Sequence, residues 1–225
     1  ALAEQFLTYS PFNYTLNNPI KFIDPDGKAP QKVKLGSEEL LQIIRLTLPK
    51  DAREFVQIDD QTGLIDKKLL LQYENSNGSE NFSSLLELVS REEIYEVALI
   101  SGEHPLAPIL VNGEDYSKPI YFGEVRGLTK DEEFNGYSGD PIYNLTTGEA
   151  ADGTLGQNIP VDLSATGNYQ ILINANLSLQ GKIEVAAHEF FGHPVAVERG
   201  INPSDQFSPN GDHNKALVDW STVRV

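Results

Sequence analysis

The chain has 225 residues, 40% of them hydrophobic, and a formal net charge of −16. This length and composition are typical of a globular protein with a substantial core, built as one large domain or two small ones. The acidic charge argues against a nucleic-acid or anionic-membrane partner, because both are negatively charged. The absence of cysteine excludes disulfides and Cys-ligated zinc, and the absence of methionine excludes the Met-turn metzincins. No apolar run approaches the ~18 residues of a membrane-spanning helix, so we expect no membrane partner.

The segment of residues 1–29 alternates turn formers with short aromatic and β-branched runs, which predicts an extended, turn-rich structure. The phrase from Ser10 to Gly27, SPFNYTLNNPIKFIDPDG, resembles the C-terminal end of the core of rearrangement-hotspot (RHS) repeat proteins, which are bacterial polymorphic toxins. In that family the core encloses a variable C-terminal toxin, and a D-P-x-G element, here Asp24 to Gly27, marks the junction. The resemblance implies that residues 1–29 are the tail of the RHS core and that residues 30–225 are the toxin. It also implies that the coding sequence begins upstream.

Helical patterns dominate the next part of the chain. Ser37 is a predicted N-cap, and the apolar stripe that follows it is closed by Pro49. Three further short helices are predicted, over Asp51–Val56, Lys67–Tyr73 and Phe82–Ser90. We therefore expect a helical part over about residues 30–92.

The part from about residue 93 to 225 mixes β-branched runs with stretches rich in glycine and proline. Its predicted strands are Ile94–Ile100, Tyr121–Val125 and Asn168–Asn176. Residues 102–118 are predicted to be a loop, and residues 130–156 an irregular lid or surface loop. His104 lies in the first loop, where a lone histidine is expected to be a bystander rather than a ligand. The asparagines of five N-x-S/T sequons are expected to be polar loop residues: Asn13, Asn77, Asn81, Asn144 and Asn176.

The segment His188–His193 carries the strongest chemical signal. It reads H-E-F-F-G-H, one residue longer than the H-E-x-x-H helix that holds zinc in metallopeptidases. Neutral imidazoles are good zinc ligands. A glutamate beside the first ligand, here Glu189, can take the proton of a metal-activated water and pass it to the leaving amine. The motif therefore predicts that His188 and His193 hold a metal ion and that Glu189 is a general base.

The spacing of the two histidines needs a departure from regular helix geometry. Positions five apart lie about 140° apart around an α-helix, so the two rings of a regular helix could not share one ion. A single wide turn of π type would bring them together. Alternatively, the predicted helix Ile183–Phe191 could end at Gly192, with His193 returning from a non-helical backbone. Pro194 favours this second route, because a proline disfavours the α conformation of the residue before it.

A hydrolytic zinc site normally has three protein ligands and an open position for water. The first candidate for the third ligand is His213, which follows a turn and opens a predicted C-terminal helix over His213–Val223. Asp219 is the second candidate and Glu198 the third.

The strand Asn168–Asn176 ends shortly before the motif helix. In zincin-type folds an edge strand in this position pairs with the extended substrate, which is recognition by strand addition. We therefore expect an α+β fold, a zincin-like domain whose active-site helix follows an edge strand, preceded by the helical part.

Two further resemblances concern the site. The H-E-x-x-G-H spacing is similar to that of dipeptidyl peptidase III, which implies His188 and His193 as ligands and Glu189 as base. The third ligand of that family is a glutamate in an E-E-C-R-A motif, which this chain lacks. The C-terminal part also resembles RHS-associated metallopeptidase toxins, in which a later histidine opens a terminal helix, as His213 does here. That histidine is often followed by a Glu-Asn pair, where this chain has Asp219-Trp220-Ser221.

Together these features predict a zinc-dependent metallopeptidase that serves as the toxic effector tip of an RHS polymorphic toxin. Zinc is expected on His188, His193 and His213, with Glu189 as general base. The resemblance implies secretion and delivery into a target cell. The implied partners are a protein or peptide substrate, a cognate immunity protein and the RHS shell. The alternatives are a metal-dependent nuclease toxin, suggested by Asp212-His213-Asn214, and a non-catalytic interaction module.

Overall fold

The chain divides into two units, Ala1–Gln31 and Lys32–Val225. The structure, a computed structural model, describes residues 33–74, 78–135, 147–199 and 218–223, all in the second unit. The RHS-like segment lies outside these residues, so the predicted boundary at residues 29/30 stays a prediction.

The described unit mixes helices and strands, as expected for an α+β protein. Its helices are α1 (Glu38–Leu46), α2 (Lys67–Leu70), α3 (Glu80–Val89), α4 (Lys130–Asn135), α5 (Leu179–Ala187) and α6 (His193–Glu198), with a 3₁₀ turn at Arg53–Phe55 and a π-helical segment at His188–Gly192. Its strands are β1 (Val33–Leu35), β2 (Tyr95–Ile100), β3 (Gly102–His104), β4 (Leu110–Val111), β5 (Glu114–Asp115), β6 (Ile120–Phe122), β7 (Val125–Gly127), β8 (Glu149–Ala151), β9 (Gly156–Ile159) and β10 (Tyr169–Asn174). None of the described helices combines the length and the apolar composition needed to cross a membrane.

Four of the strands form one sheet in the order β1-β2-β10-β9. The first three run parallel, with Tyr169 opposite Tyr95, whereas β9 runs antiparallel to β10 with Asn158 opposite Ile171. The remaining described strands form three two-stranded antiparallel sheets, β3-β6, β4-β5 and β7-β8.

The sheet separates two apolar clusters, because successive side chains of a strand point to opposite faces. Ile171 and Ile173 of β10 belong to the main core, which also takes in the buried faces of α1, α3 and α5. Leu172 points the other way and packs with Phe122 and Ile159 in a smaller cluster. The motif helix therefore lies on the side of the sheet that carries most of the buried apolar surface.

The predicted helices of the first part are present, with altered bounds. Ser37 caps α1 as predicted, and its side chain accepts a hydrogen bond from the Leu40 amide. Helix α3 begins at Glu80, two residues before its predicted start, because Ser79 provides the cap. Two predictions were too long, since the stretch after Asp51 forms only the 3₁₀ turn and α2 ends at Leu70.

The prediction of a loop over residues 102–118 was wrong in part. The segment contains β3 and the hairpin β4–β5, whose two-residue turn Asn112-Gly113 has positive φ angles of 54° and 86°. Asparagine and glycine are the residues that tolerate this backbone in tight hairpin turns. The Asn-Gly pair is a sequence signal for such a hairpin, and the prolines on either side of it obscure that signal.

The prediction of an edge strand directly before the motif helix was also wrong. That strand, β10, pairs on both sides, with β2 and with β9. The strands at the two edges of the sheet are β1 and β9, and β9 was not predicted. The prediction of an irregular stretch over residues 130–156 was wrong in part, because this stretch contains α4, β8 and the first residue of β9. Helix α5 then begins at Leu179, four residues before the predicted start, because Ser178 caps it.

The C-terminal residues that the structure describes form a turn, not the end of the predicted helix His213–Val223. The Thr222 amide donates to the Asp219 carbonyl in this turn. Asn81 of α3 holds it, since its side chain both donates to the Asp219 carbonyl and accepts from the Asp219 amide. The expectation that Asn81 lies in a polar loop was therefore wrong: it is fully buried and its role is structural.

Candidate metal centre

The motif helix widens at the position where the two histidines require it. Helix α5 passes into π-helical backbone at His188–Gly192, called the wide turn below, and the chain continues as α6. In a π-helix the hydrogen bonds join residues five apart, so His188 and His193 come to lie on the same side. The wide-turn route is therefore the correct one. The alternative, with His193 outside helical backbone, was wrong, because His193 has helical φ and ψ angles of −73° and −57°.

The two imidazoles meet through their Nε2 atoms, which are 2.8 Å apart. The ring planes are inclined by 81°, and the His188 ring is almost completely buried. At this distance one nitrogen donates its proton to the other. In a tetrahedral site with metal–nitrogen bonds of about 2.0–2.1 Å, two such nitrogens are about 3.3 Å apart. An ion would therefore replace the shared proton after the rings separate by about half an ångström.

Glu189 completes the group. Its Oε2 lies 3.8 Å from His193 Nε2, and the residue is 8% exposed. One potential ligand atom from each of His188, Glu189 and His193 lies within 4.8 Å of the others. Within the part of the chain that the structure describes, no other group of at least three such residues meets this condition. The group can hold a metal ion, and its donors, two neutral imidazoles and a carboxylate, fit a transition metal or zinc.

Strand β9 packs against Glu189 from the edge of the sheet. A methyl group at Gly156 would lie 2.5 Å from Val185 Cγ1 and 2.7 Å from Glu189 Cγ, so only glycine admits the helix this closely. Two residues along, on the same face of the strand, Asn158 Nδ2 donates to Glu189 Oε2 and, at 3.1 Å, to the Glu189 backbone carbonyl.

Pro194 explains why the Glu189 carbonyl needs a hydrogen-bond donor from β9. The i to i+5 hydrogen bonds of π-helical backbone would bring the Glu189 carbonyl to the amide of residue 194. Proline has no N–H to donate. Asn158 supplies a donor to that carbonyl from outside the helix. The helix can therefore continue through Pro194, because Asn158 of the neighbouring strand supplies the hydrogen-bond donor that the proline lacks.

Two adjacent aromatic side chains anchor the wide turn in the main core. Phe190 and Phe191 are both fully buried, and their rings meet edge to face with centroids 5.0 Å apart. The wide turn contacts α3, β9 and β10. Fixed packing of this kind restricts where the neighbouring histidine and glutamate side chains can point.

No candidate for the third ligand joins the metal group among the residues that the structure describes. His213, the first candidate, lies outside the described residues, as does the side chain of Glu198 at the end of α6. The Asp219 carboxylate accepts hydrogen bonds from the Ser221 amide and hydroxyl and is not part of the metal group. His104 lies on β3, where its Nε2 is 3.3 Å from Gln170 Oε1, and it does not belong to the group either.

A second buried carboxyl lies one helical turn before His188. Glu184 is 4% exposed, and its pKa is raised, mainly by burial and further by the negative charge of Glu149, against a lowering contribution from the Gln180 side chain. Gln180 Nε2 donates to Glu184 Oε1 at 2.7 Å, whereas Oε2 has no hydrogen-bond partner among the described residues. The raised pKa favours the neutral acid.

Comparison with known proteins gives no relative from which a role could be carried over. No family model matches the chain, and neither a curated protein nor a solved structure matches it. The chemistry of the site is therefore argued from its own geometry.

The sequence alone does not reveal the roles of Gly156 and Asn158 at the site. The only local signal was a glycine near a short apolar segment, which in a strand often marks a close backbone approach. No pattern in the sequence connects these residues to a glutamate some 30 positions later, because the contact exists only once the sheet and the helix have packed.

Proposed function

We propose that the chain is a zinc-dependent metallopeptidase. The observation that carries the proposal is the convergence of His188 Nε2 and His193 Nε2, 2.8 Å apart, beside the Glu189 carboxylate. Two imidazoles and a carboxylate directed toward one point form a set of donors that a single cation would pair with at once. Zinc is the metal we propose, because the chain has no cysteine and two neutral imidazoles suit it.

The residues divide the work of hydrolysis between them. His188 and His193 would hold the ion, with His213 as the proposed third ligand. When bound, zinc supplies Lewis-acid activation of water and polarises a peptide carbonyl. Glu189 accepts the proton of the attacking water and transfers it to the leaving amine, a step that typically contributes about 10²–10⁴-fold to the rate.

The position of β9 suggests how a peptide would be bound. Among the described strands β9 pairs only with β10, so its other edge presents backbone donors and acceptors next to Glu189. An extended peptide could add to that edge, with its main chain hydrogen-bonded and its scissile bond over the site. This zincin-like arrangement is part of the proposal and replaces the edge-strand role expected of β10.

The biological setting is proposed from the RHS resemblance of Ser10 to Gly27. The peptidase would be the toxic effector tip of an RHS polymorphic toxin, secreted and delivered into a target cell. Its partners would be a protein or peptide substrate, a cognate immunity protein and the RHS shell. The net charge of −16 supports a protein substrate over a nucleic acid.

Metal content and activity of one matched pair test this function. The purified full chain should contain about one zinc by elemental analysis and should cleave a protein or peptide substrate. Glu189→Gln keeps the size of the side chain and should keep the zinc, while cleavage falls by about 10²–10⁴-fold. Full activity in Glu189→Gln would reject the proposed base. Degradation of purified DNA or RNA by the wild type would favour a nuclease, and absence of bound metal a non-catalytic module.

A further inference from the structure

The side chain of Asn158 is the feature of β9 that the proposed reaction does not yet use. Its amide nitrogen has two acceptors, and both belong to Glu189: the carboxylate oxygen Oε2 and the backbone carbonyl, at 3.1 Å. The orientation of the amide follows from chemistry, since a backbone carbonyl can only accept a hydrogen bond. The nitrogen must therefore face Glu189, and Oδ1 must face away.

The oxygen of the same side-chain amide has no hydrogen-bond partner among the described residues. Asn158 Oδ1 is buried and makes no hydrogen bond to any residue that the structure describes. Buried polar atoms are usually paired, because an unpaired one costs roughly 1–3 kcal/mol. A side chain retained for packing alone would have no need of a polar group at this position.

Two fully buried asparagines, Asn174 and Asn81, show what a structural role looks like in this chain. Asn174 donates to the carbonyls of Gly123 and Thr154 and accepts from the Asn176 amide at 2.9 Å. Asn81 donates to the Thr47 carbonyl at 2.8 Å and accepts from a backbone amide at its other end. Both tie backbone segments together with both ends of the amide. Asn158 instead uses one end only, and uses it on a single residue.

We propose that Asn158 is the positioning residue of the catalytic base, an inference that rests on the proposed function. By donating to the backbone and to the carboxylate of Glu189 at once, it fixes the side-chain torsions of the base relative to the wide turn. Gly156, two residues earlier on the same strand, leaves the space in which the carboxylate is held. Asn158 neither holds metal nor transfers a proton. It acts through Glu189.

The test uses two substitutions of similar shape that remove the donor. Asn158→Leu is neutral, and Asn158→Asp offers acceptors in place of the N–H groups. Both variants of the full chain should fold with an unchanged circular dichroism spectrum and keep about one zinc. Their kcat should fall by about 10²-fold while KM changes little, because a displacement of about 1 Å at a catalytic group has an effect of this size. The control is Gln42→Leu, an exposed residue of α1 whose side-chain amide donates to Glu38 and which belongs neither to β9 nor to the metal group; its kcat should equal that of the wild type.

Crystal structures test the positioning role of Asn158 independently of the proposed peptidase activity. Structures of the zinc-loaded wild type and of Asn158→Leu should show Glu189 in one rotamer in the first and displaced or in several rotamers in the second. This comparison holds even if the wild type cleaves no peptide, in which case the proposed function fails and the positioning role is still decided. An unchanged Glu189 together with wild-type kcat would overturn the inference. Loss of zinc or of folding in both variants would also overturn it, because the support that Asn158 gives to the backbone of the wide turn would then explain its effect without any positioning of the carboxylate.

Discussion

Helix α1 and the wide turn both pack into the main core, but they are stabilised in different ways. Helix α1 has an N-cap at Ser37, acidic residues in its first turn and a single apolar face, all within its own sequence. The wide turn has no side-chain cap, and one of its carbonyls accepts from Asn158, 31 residues away in the sequence. The regular helix α1 is thus specified by residues within its own sequence, whereas the wide turn depends on a contact with the neighbouring strand β9. The wide turn is also the segment that carries the candidate metal group.

The largest difference between the two regions should appear on removal of a proposed metal ligand. His188→Ala should reduce the zinc content from about one per chain to nearly none. It should lower peptidase activity by more than Glu189→Gln does, because both the ion and the chemistry are lost. His104→Ala is the matched control and should keep zinc and activity, as His104 contacts Gln170 and not the metal group. Zinc retained in His188→Ala would contradict the proposed site.

Removing one buried side chain from each region should have similar effects on stability and different effects on metal binding. Phe190→Ala removes a fully buried ring and should lower the free energy of unfolding by about 3–5 kcal/mol. It should also weaken zinc binding, because the ring anchors the wide turn. Ile44→Ala in α1 should cost about 2–5 kcal/mol and leave the zinc affinity of the folded protein unchanged.

Denaturant unfolding with chelator and competition for zinc with a metal-sensitive dye measure the two quantities separately. If both variants bound zinc equally well, the packing of the wide turn would not control the site.

A smaller effect is expected from an added methyl group beside the base. Gly156→Ala would place a carbon 2.7 Å from Glu189 Cγ, so the glutamate must move. We expect zinc to be retained and kcat to fall by about 10²-fold, equivalent to about 2.7 kcal/mol. In Gly36→Ala, just before α1, the nearest atom would be 3.8 Å away, and no loss of activity is expected. Steady-state kinetics on the two alanine variants decide between them; equal kcat values would show that β9 does not constrain Glu189.

The smallest effect should come from Glu184 and should depend on pH. Its pKa is raised by burial, so the folded protein holds this proton more tightly than the unfolded chain does. Wild-type stability should therefore fall as the pH rises from the ordinary carboxyl value of 4.5 through the raised pKa. Glu184→Gln removes this dependence and should melt at a higher temperature than the wild type at pH 7, with no difference near pH 4. Melting curves in chelator measure it, and a constant difference at all pH values would show that Glu184 does not titrate as inferred.

The sequence predicted the parts of the fold that depend on local signals. Ser37 and the periodic stripe after it identified α1, and the H-E-x-x-G-H spacing narrowed the backbone between the histidines to two routes. Pro194 favoured the wrong route. Its ring disfavours the α conformation of His193 through steric contact, but this is a local preference, and the packing of the wide turn in the main core outweighs it here.

The rest could not be predicted because it depends on long-range packing. β9 is four residues long, and nothing in its sequence states that it pairs with β10 or faces Glu189. Likewise, Asn81 reads as a sequon in a polar stretch, yet it closes contacts to a turn 138 residues later. Such residues become recognisable only when two distant segments are in contact.

The contacts of α3 have a consequence for the integrity of the site. Arg199 pairs with Glu80 and Glu87 of α3, and the turn at Asp219 is held by Asn81 of the same helix. Helix α3 also contacts the wide turn. One helix is thus a shared support for the end of the helical segment that carries the histidines and for the C-terminal turn, so a substitution that shifts α3 should disturb both at once.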